Sequence, residues 1–142
     1  MTTQSRVAAL QAVLAAEHAV IYGYGVAGAH LEGAARRQAE RGWTAHRARR
    51  DGLQERLSAA GENPAPPAPA YALPAPVDSE RSARTLLALL EERLAAVWAD
   101  AVGDLAGQLR GLAVDGLSDS AVAAAQWRGT SIAFPGLPER RL

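Results

Sequence analysis

The sequence predicts an all-α protein, a four-helix bundle with one long proline-rich crossover between the second and third helices. In four long segments, apolar residues recur at steps of three and four, the spacing of one helix face. Six of the eight prolines fall between the second and third segments. Aromatic residues are only 5% of the chain, and alanine supplies much of its apolar content. A composition of this kind favours closely packed helices.

Composition narrows the class of protein. A chain of 142 residues suits one domain spanning 1–142, with a core that needs no cross-links. It has no cysteine, which excludes disulfides and thiolate metal sites. Fifteen basic and fifteen acidic side chains cancel, which argues against a nucleic-acid partner. No basic segment followed by a short apolar one opens the chain, so we expect a cytoplasmic protein.

The first helix is apolar enough to raise the question of a membrane span over 7–29. Gln11, Glu17 and His18 lie inside that window and would be costly at the centre of a bilayer. We therefore expect no membrane partner and assign the segment to the core of a bundle. Thr2, Thr3 or Ser5 caps this helix, which ends near residue 31 or 32.

Glu17 is the residue that poses the functional question. It falls inside the apolar stripe of the first helix, in step with Leu10 and Tyr24. A buried carboxylate must be paired, hydrogen-bonded, bound to metal or protonated, because an isolated buried charge is too costly. What lies opposite Glu17 therefore decides the character of the core.

The second helix, at about 34–60, has an unusual inner stripe. Two of its five members are ionisable, and the neighbouring charged residues, Arg49 among them, are interpreted as solvated. The stripe consists of Trp43, His46, Arg50, Leu53 and Leu57.

The crossover, 61–79, is long enough to span the bundle. About 18 residues of polyproline II reach roughly 55 Å at about 3.1 Å each, whereas a helix of about 25 residues is only about 38 Å long. The second and third helices are then parallel, as in bundles with one crossover.

The third and fourth helices each carry an acid at or beside the inner stripe. Asp78 or Ser79 caps the third helix, and Glu91 borders its apolar face. The fourth helix covers about 108–128 and has Asp119 on its stripe, and a non-helical tail follows over 129–142. Glu17, His46, Glu91 and Asp119 fall within roughly 12 Å along the bundle at about 1.5 Å per residue.

These positions predict a buried polar network with no metal. Its candidate members are Glu17, His46, Arg50, Glu91 and Asp119. An arginine where a dication would sit repels metal and satisfies carboxylates instead.

A di-iron site remains the alternative, with Glu17, His46, Glu91 and Asp119 as weak candidate ligands. Such sites need one Glu from each of two helices and a Glu-x-x-His from each of the others. Trp43 stands three residues before His46, and Val122 stands three residues after Asp119, so both Glu-x-x-His elements are broken. We expect no cofactor. If a metal does bind, we expect it to be iron or manganese.

Several strings resemble a known family. They are LQAVLAAEHAVIYGYGVAGAHL, AHRARRDGL, PAPAYALP, LLALLEERLAAVWA, AAAQWR and FPGLP. Together they resemble the ferritin-like domain family of unknown function found in high-GC Gram-positive bacteria. The resemblance covers nearly the whole chain and implies a four-helix ferritin-like bundle, but no activity.

Two functions remain open on the sequence. The first is a non-enzymatic ferritin-like bundle whose degenerate metal site has become a polar network. It would bind itself, another protein or a small ligand. The second is a small metal-binding or redox protein with an altered ferritin-like site. The small-residue run 23–29 also predicts a homodimer, because such faces suit close helix packing.

Overall fold

The computed structural model describes residues 2–137. It contains four helices and, in those residues, no strand, which confirms the predicted all-α class. The helices are α1 (Thr3–Gly28), α2 (Gly33–Ala59), α3 (Glu80–Asp104) and α4 (Gly107–Arg128). Residues 129–137 contain no helix, and the rest of the predicted tail, 138–142, lies outside the described residues.

Side-chain caps and glycines set the ends of these helices. Thr2 accepts a hydrogen bond from the backbone N–H of Ser5 at 3.0 Å and caps α1. Ser79 caps α3 in the same way. Gly33 and Gly107 begin α2 and α4 with φ of 55° and 57°, a conformation that favours glycine and allows short turns. Two hairpins result, α1–α2 and α3–α4.

The core lies between α1 and α3, which pack against each other and each against its hairpin partner. Trp98 on α3 is fully buried, and its ring lies where a side chain at Gly116 on α4 would have to go. Glycine at 116 is therefore required by close approach, because a Cβ there would collide with a rigid ring.

The proline-rich segment 61–79 lies along α1. Gln11 accepts a hydrogen bond from the backbone N–H of Ala65 at 2.8 Å. Farther along both segments, the rings of Tyr22 and Tyr71 are 5.5 Å apart between centroids. The segment thus follows α1 from Gln11 towards Tyr22, covering one side of the helix.

His18 also holds this segment. Its Nε2 lies 2.9 Å from the backbone oxygen of Ala65, and the residue is only 4% exposed. The sequence did not indicate this partner for His18. Its partner lies in the proline-rich segment, and a segment without helix periodicity cannot be placed by helix spacing.

The predicted homodimer stays a prediction. Gly23 packs against the side chain of Leu90 in its own chain, so its small size has an internal reason. Gly25 and Gly28 have no atom within 4 Å of where a Cβ would stand. Only this outer part of the small-residue run is free for contact with another molecule.

Among the described residues, α1 is the one helix long and apolar enough to cross a membrane by length and composition. Half of its most apolar window is buried inside the bundle, as expected for a core helix. The cytoplasmic location stays a prediction.

Candidate functional site

His46 lies at the centre of the bundle, between two buried carboxylates. Its Nδ1 is 2.7 Å from Oε2 of Glu17, and its Nε2 is 2.7 Å from Oε1 of Glu91. Both glutamates are 0% exposed and His46 is 4% exposed. One imidazole ring thus joins α1, α2 and α3 at their middle.

This geometry calls for an imidazolium. A carboxylate can only accept, so each ring nitrogen must carry a proton to donate to its glutamate. Burial alone would lower the pKa of His46, but the hydrogen bonds and negative charges of Glu17 and Glu91 outweigh it and raise that pKa to about 9. His46 is therefore a cation at neutral pH, held between two anions.

Tyr24 and Trp127 extend the arrangement on the Glu91 side. The hydroxyl of Tyr24 donates to Oε1 of Glu91 at 2.6 Å and accepts from the indole Nε1–H of Trp127 at 3.0 Å. Burial, followed by the nearby charge of Glu91, raises the pKa of Tyr24 well above its usual value. Tyr24 therefore keeps its proton and remains a donor to Glu91.

Arg49 extends the arrangement around His46 on the Glu17 side. Its Nη1 is 3.7 Å from Oε1 of Glu17, and its Nη2 donates to Oδ2 of Asp119 at 2.6 Å. Seven side chains from all four helices are now connected, and we call them the polar chain. In spatial order they are Trp127, Tyr24, Glu91, His46, Glu17, Arg49 and Asp119.

The structure corrects two of the predicted network residues. Arg50 is not in the core: its guanidinium pairs with Asp51 at 2.7 Å. Asp119 is the last member of the polar chain, joined to it through Arg49, but its side chain is 66% exposed and not buried as predicted. Glu17, His46 and Glu91 do lie together.

In both helices, the residue that faces the core lies one position away from the residue that the sequence pattern predicted. The inner line of α2 passes through Gly42, His46 and Arg49, one position before the predicted Trp43 and Arg50. Gly42 leaves room for the ring of Tyr24. Trp43 instead is 37% exposed.

On α4 the inner position also differs by one residue, but in the opposite direction. Ser120, which is fully buried, takes the inner position that the pattern assigned to Asp119, and Val122 is 57% exposed.

Sequence reasoning missed three members of the polar chain. Spacing placed Tyr24 and Trp127 on inner stripes, but nothing in the sequence linked a hydroxyl to an indole 103 residues away. Arg49 was interpreted as a solvated charge. The available signal was that it lies three residues after His46, on the same helix face.

Arg49 and Arg50 offer a matched test of the register. We expect Arg49→Met to lower the free energy of unfolding by about 1–3 kcal/mol, because it leaves the buried Glu17 with one cation fewer. Arg50→Met should change it by less than about 0.5 kcal/mol, because the partner of Arg50 is the exposed Asp51 and not a buried carboxylate. Urea denaturation of the two variants measures the difference. Equal losses would show that Arg49 does not support Glu17.

The centre does not fit a di-iron pair. Both nitrogens of His46 point at carboxylates, so neither has a lone pair available for a metal, and Arg49 adds a second positive charge nearby. Among residues 2–137, no group of three or more His, Cys, Asp or Glu side chains is arranged to hold a metal ion.

The four helices have the fold of a ferritin-like bundle. Residues 9–139 match the family described as a domain of unknown function, DUF4439, and the chain belongs to that family.

Two crystal structures are similar to this chain. A conserved hypothetical protein from Mycobacterium tuberculosis is 33% identical with a TM-score of 0.87, covering 91% of this chain and 98% of that one. A ferritin-like, diiron-carboxylate protein from Bacillus anthracis is 15% identical with a TM-score of 0.76, at the same coverage. Its likeness concerns the fold alone. No match was found among curated proteins.

Proposed function

We propose that this protein is a ferritin-like bundle that works without a metal centre and acts by binding, not by catalysis. The observation that carries the proposal is the His46 ring between Glu17 and Glu91, with 2.7 Å on each side. A cation in this position pairs with one oxygen of each carboxylate and joins three helices, which is the structural part of what a metal pair does in such bundles.

The protonation of the centre supports a non-enzymatic role. Each proton on His46, and the proton on Tyr24, is already donated to a carboxylate within the bundle. A general acid or base must reach a substrate proton at hydrogen-bond distance. These groups are instead occupied with one another behind a layer of apolar side chains.

A second candidate is a small metal-binding or redox protein with an altered site. Oε1 of Glu17 and Oε2 of Glu91 favour it, because both are buried and lack a hydrogen-bond partner within residues 2–137. Carboxylate oxygens suit iron or manganese. The charges of His46 and Arg49 oppose a dication here, so we rank this candidate second.

Metal analysis separates the two candidates. The protein is purified without an affinity tag or chelator, and its melting temperature is measured with and without Mn²⁺ or Fe²⁺. We expect substoichiometric metal and no thermal shift. A stoichiometric metal that is lost in Glu17→Gln, but kept in the exposed control Glu40→Gln, would overturn the proposal.

A further inference from the structure

The guanidinium of Arg49 lies between two carboxylates of very different exposure. Its Nη2 donates to Oδ2 of Asp119 at 2.6 Å, whereas its Nη1 is 3.7 Å from Oε1 of Glu17. The second distance is longer than the range of about 2.7–3.2 Å in which hydrogen bonds of this kind fall. The side chain of Asp119 is 66% exposed, and that of Glu17 is fully buried. Arg49 therefore bonds to the surface carboxylate and stops short of the buried one.

Glu17 has an acceptor atom that this position of Arg49 leaves unused. Its Oε2 accepts from His46, but its Oε1 has no hydrogen-bond partner within residues 2–137. A buried acceptor without a partner is costly, and a hydrogen bond between a guanidinium and a carboxylate is among the strongest in proteins. A shift of Arg49 by about 1 Å would bring its Nη1 within hydrogen-bond distance of Oε1. The cation that could satisfy Glu17 is thus already beside it, held by Asp119.

The contacts that hold Arg49 in its outer position are weak. Its hydrogen bond within residues 2–137 is the one to Asp119. Its guanidinium is 5.8 Å from the ring centroid of Trp98, close to the limit of about 6 Å for a cation–π attraction. An ion pair with an exposed partner contributes little, because water and salt screen it. The bond that keeps Arg49 from Glu17 can therefore be broken from the surface.

We propose that Arg49 is a two-position switch, which Asp119 holds at the surface and which moves onto Glu17 when Asp119 releases it. In the inner position its guanidinium donates to Oε1 of Glu17 and joins the buried group around His46 directly. A basic side chain of a bound partner releases Arg49 by pairing with the exposed carboxylate of Asp119, so that binding at the surface alters the centre. The switch does not rest on the proposed function, since neither position requires a metal or a ligand at the centre.

Asp119→Asn tests the switch, because it removes the surface charge and leaves the buried groups unchanged. The exchange of the Arg49 guanidinium protons with water is measured by NMR in the full chain, without added metal. We expect exchange about tenfold slower than in the unchanged protein, because the guanidinium then donates to a fully buried carboxylate. An ordinary surface ion pair predicts the opposite, since an arginine that has lost its partner is more accessible to water.

The matched control is Asp51→Asn, which removes the exposed carboxylate that pairs with Arg50. It should leave the exchange at Arg49 unchanged. A second variant combines Asp119→Asn with Glu17→Gln, which removes the charge that attracts Arg49 inward, and the slowing should disappear. Exchange at Arg49 that is equal or faster in Asp119→Asn, or slowing that persists with Glu17→Gln, would overturn the proposal.

Discussion

Replacing His46 with leucine should lower the free energy of unfolding by about 3–5 kcal/mol, as expected when one partner of a buried ion pair is removed. The substitution leaves Glu17 and Glu91 fully buried without the cation between them. Arg49 and Tyr24 still contact one glutamate each, but neither lies between the two carboxylates. Urea denaturation followed by circular dichroism measures the loss.

The matched variant removes the whole charged group. Glu17→Met, His46→Leu and Glu91→Met together leave no buried carboxylate or imidazole at the centre, so the variant should recover most of the stability lost by His46→Leu alone. Buried ion groups replaced by apolar residues of similar volume are often neutral or stabilising. If the triple variant is as unstable as the single one, packing at position 46 is the cause, not charge.

Stability should fall as pH rises from about 6.5 to about 9. The pKa of His46 is about 9 in the folded protein, against 6.5 for an ordinary histidine. Between these values the folded protein holds a proton on His46 that the unfolded protein has released. The stabilisation of the folded state by protonated His46 is therefore fully present below pH 6.5 and is lost as the pH rises through 9. The free energy of unfolding should fall by a total on the order of 3 kcal/mol over this pH range.

Several charged groups surround His46 in this range. Glu17 on α1 and Glu91 on α3 accept its two protons, Arg49 on α2 pairs with Glu17, and Tyr24 remains protonated. The triple variant is the control, since it removes His46 and both carboxylates but keeps His18 and His30. Its stability should be nearly flat over the same range. An equal slope in both proteins would assign the pH dependence to other groups.

The fold was predictable because its signals are local. Helix periodicity, caps such as Ser79, and the proline-rich break at 61–79 each act over a few residues. The structure confirms four helices, and no predicted helix end is more than four residues from the observed one. The position of Glu17 in an apolar stripe was also a local signal. It identified the polar core before any partner was known.

The side chains that pair with one another in the site were less predictable. Residues three and four positions after an inward-facing residue both fall on its helix face, so spacing alone does not say which of the two faces the core. Arg49 and Arg50 lie three and four residues after His46, and apolar weighting favoured the register that buries Trp43. In the structure Trp43 is 37% exposed and the guanidinium of Arg47 lies 4.3 Å from its ring centroid. The small residue Gly42 decides the register, since only it leaves space for Tyr24.

The nitrogen-15 NMR signals of His46 across pH 5 to 10 report directly whether both ring nitrogens carry a proton. We predict that Nδ1 and Nε2 both keep the shifts of protonated nitrogens at pH 7.5 and titrate together with a pKa of about 9. His18 and His30 serve as internal comparisons in the same spectra. A His46 ring with one unprotonated nitrogen at pH 7.5 would show that the buried cation is absent, because a neutral ring cannot donate to both Glu17 and Glu91.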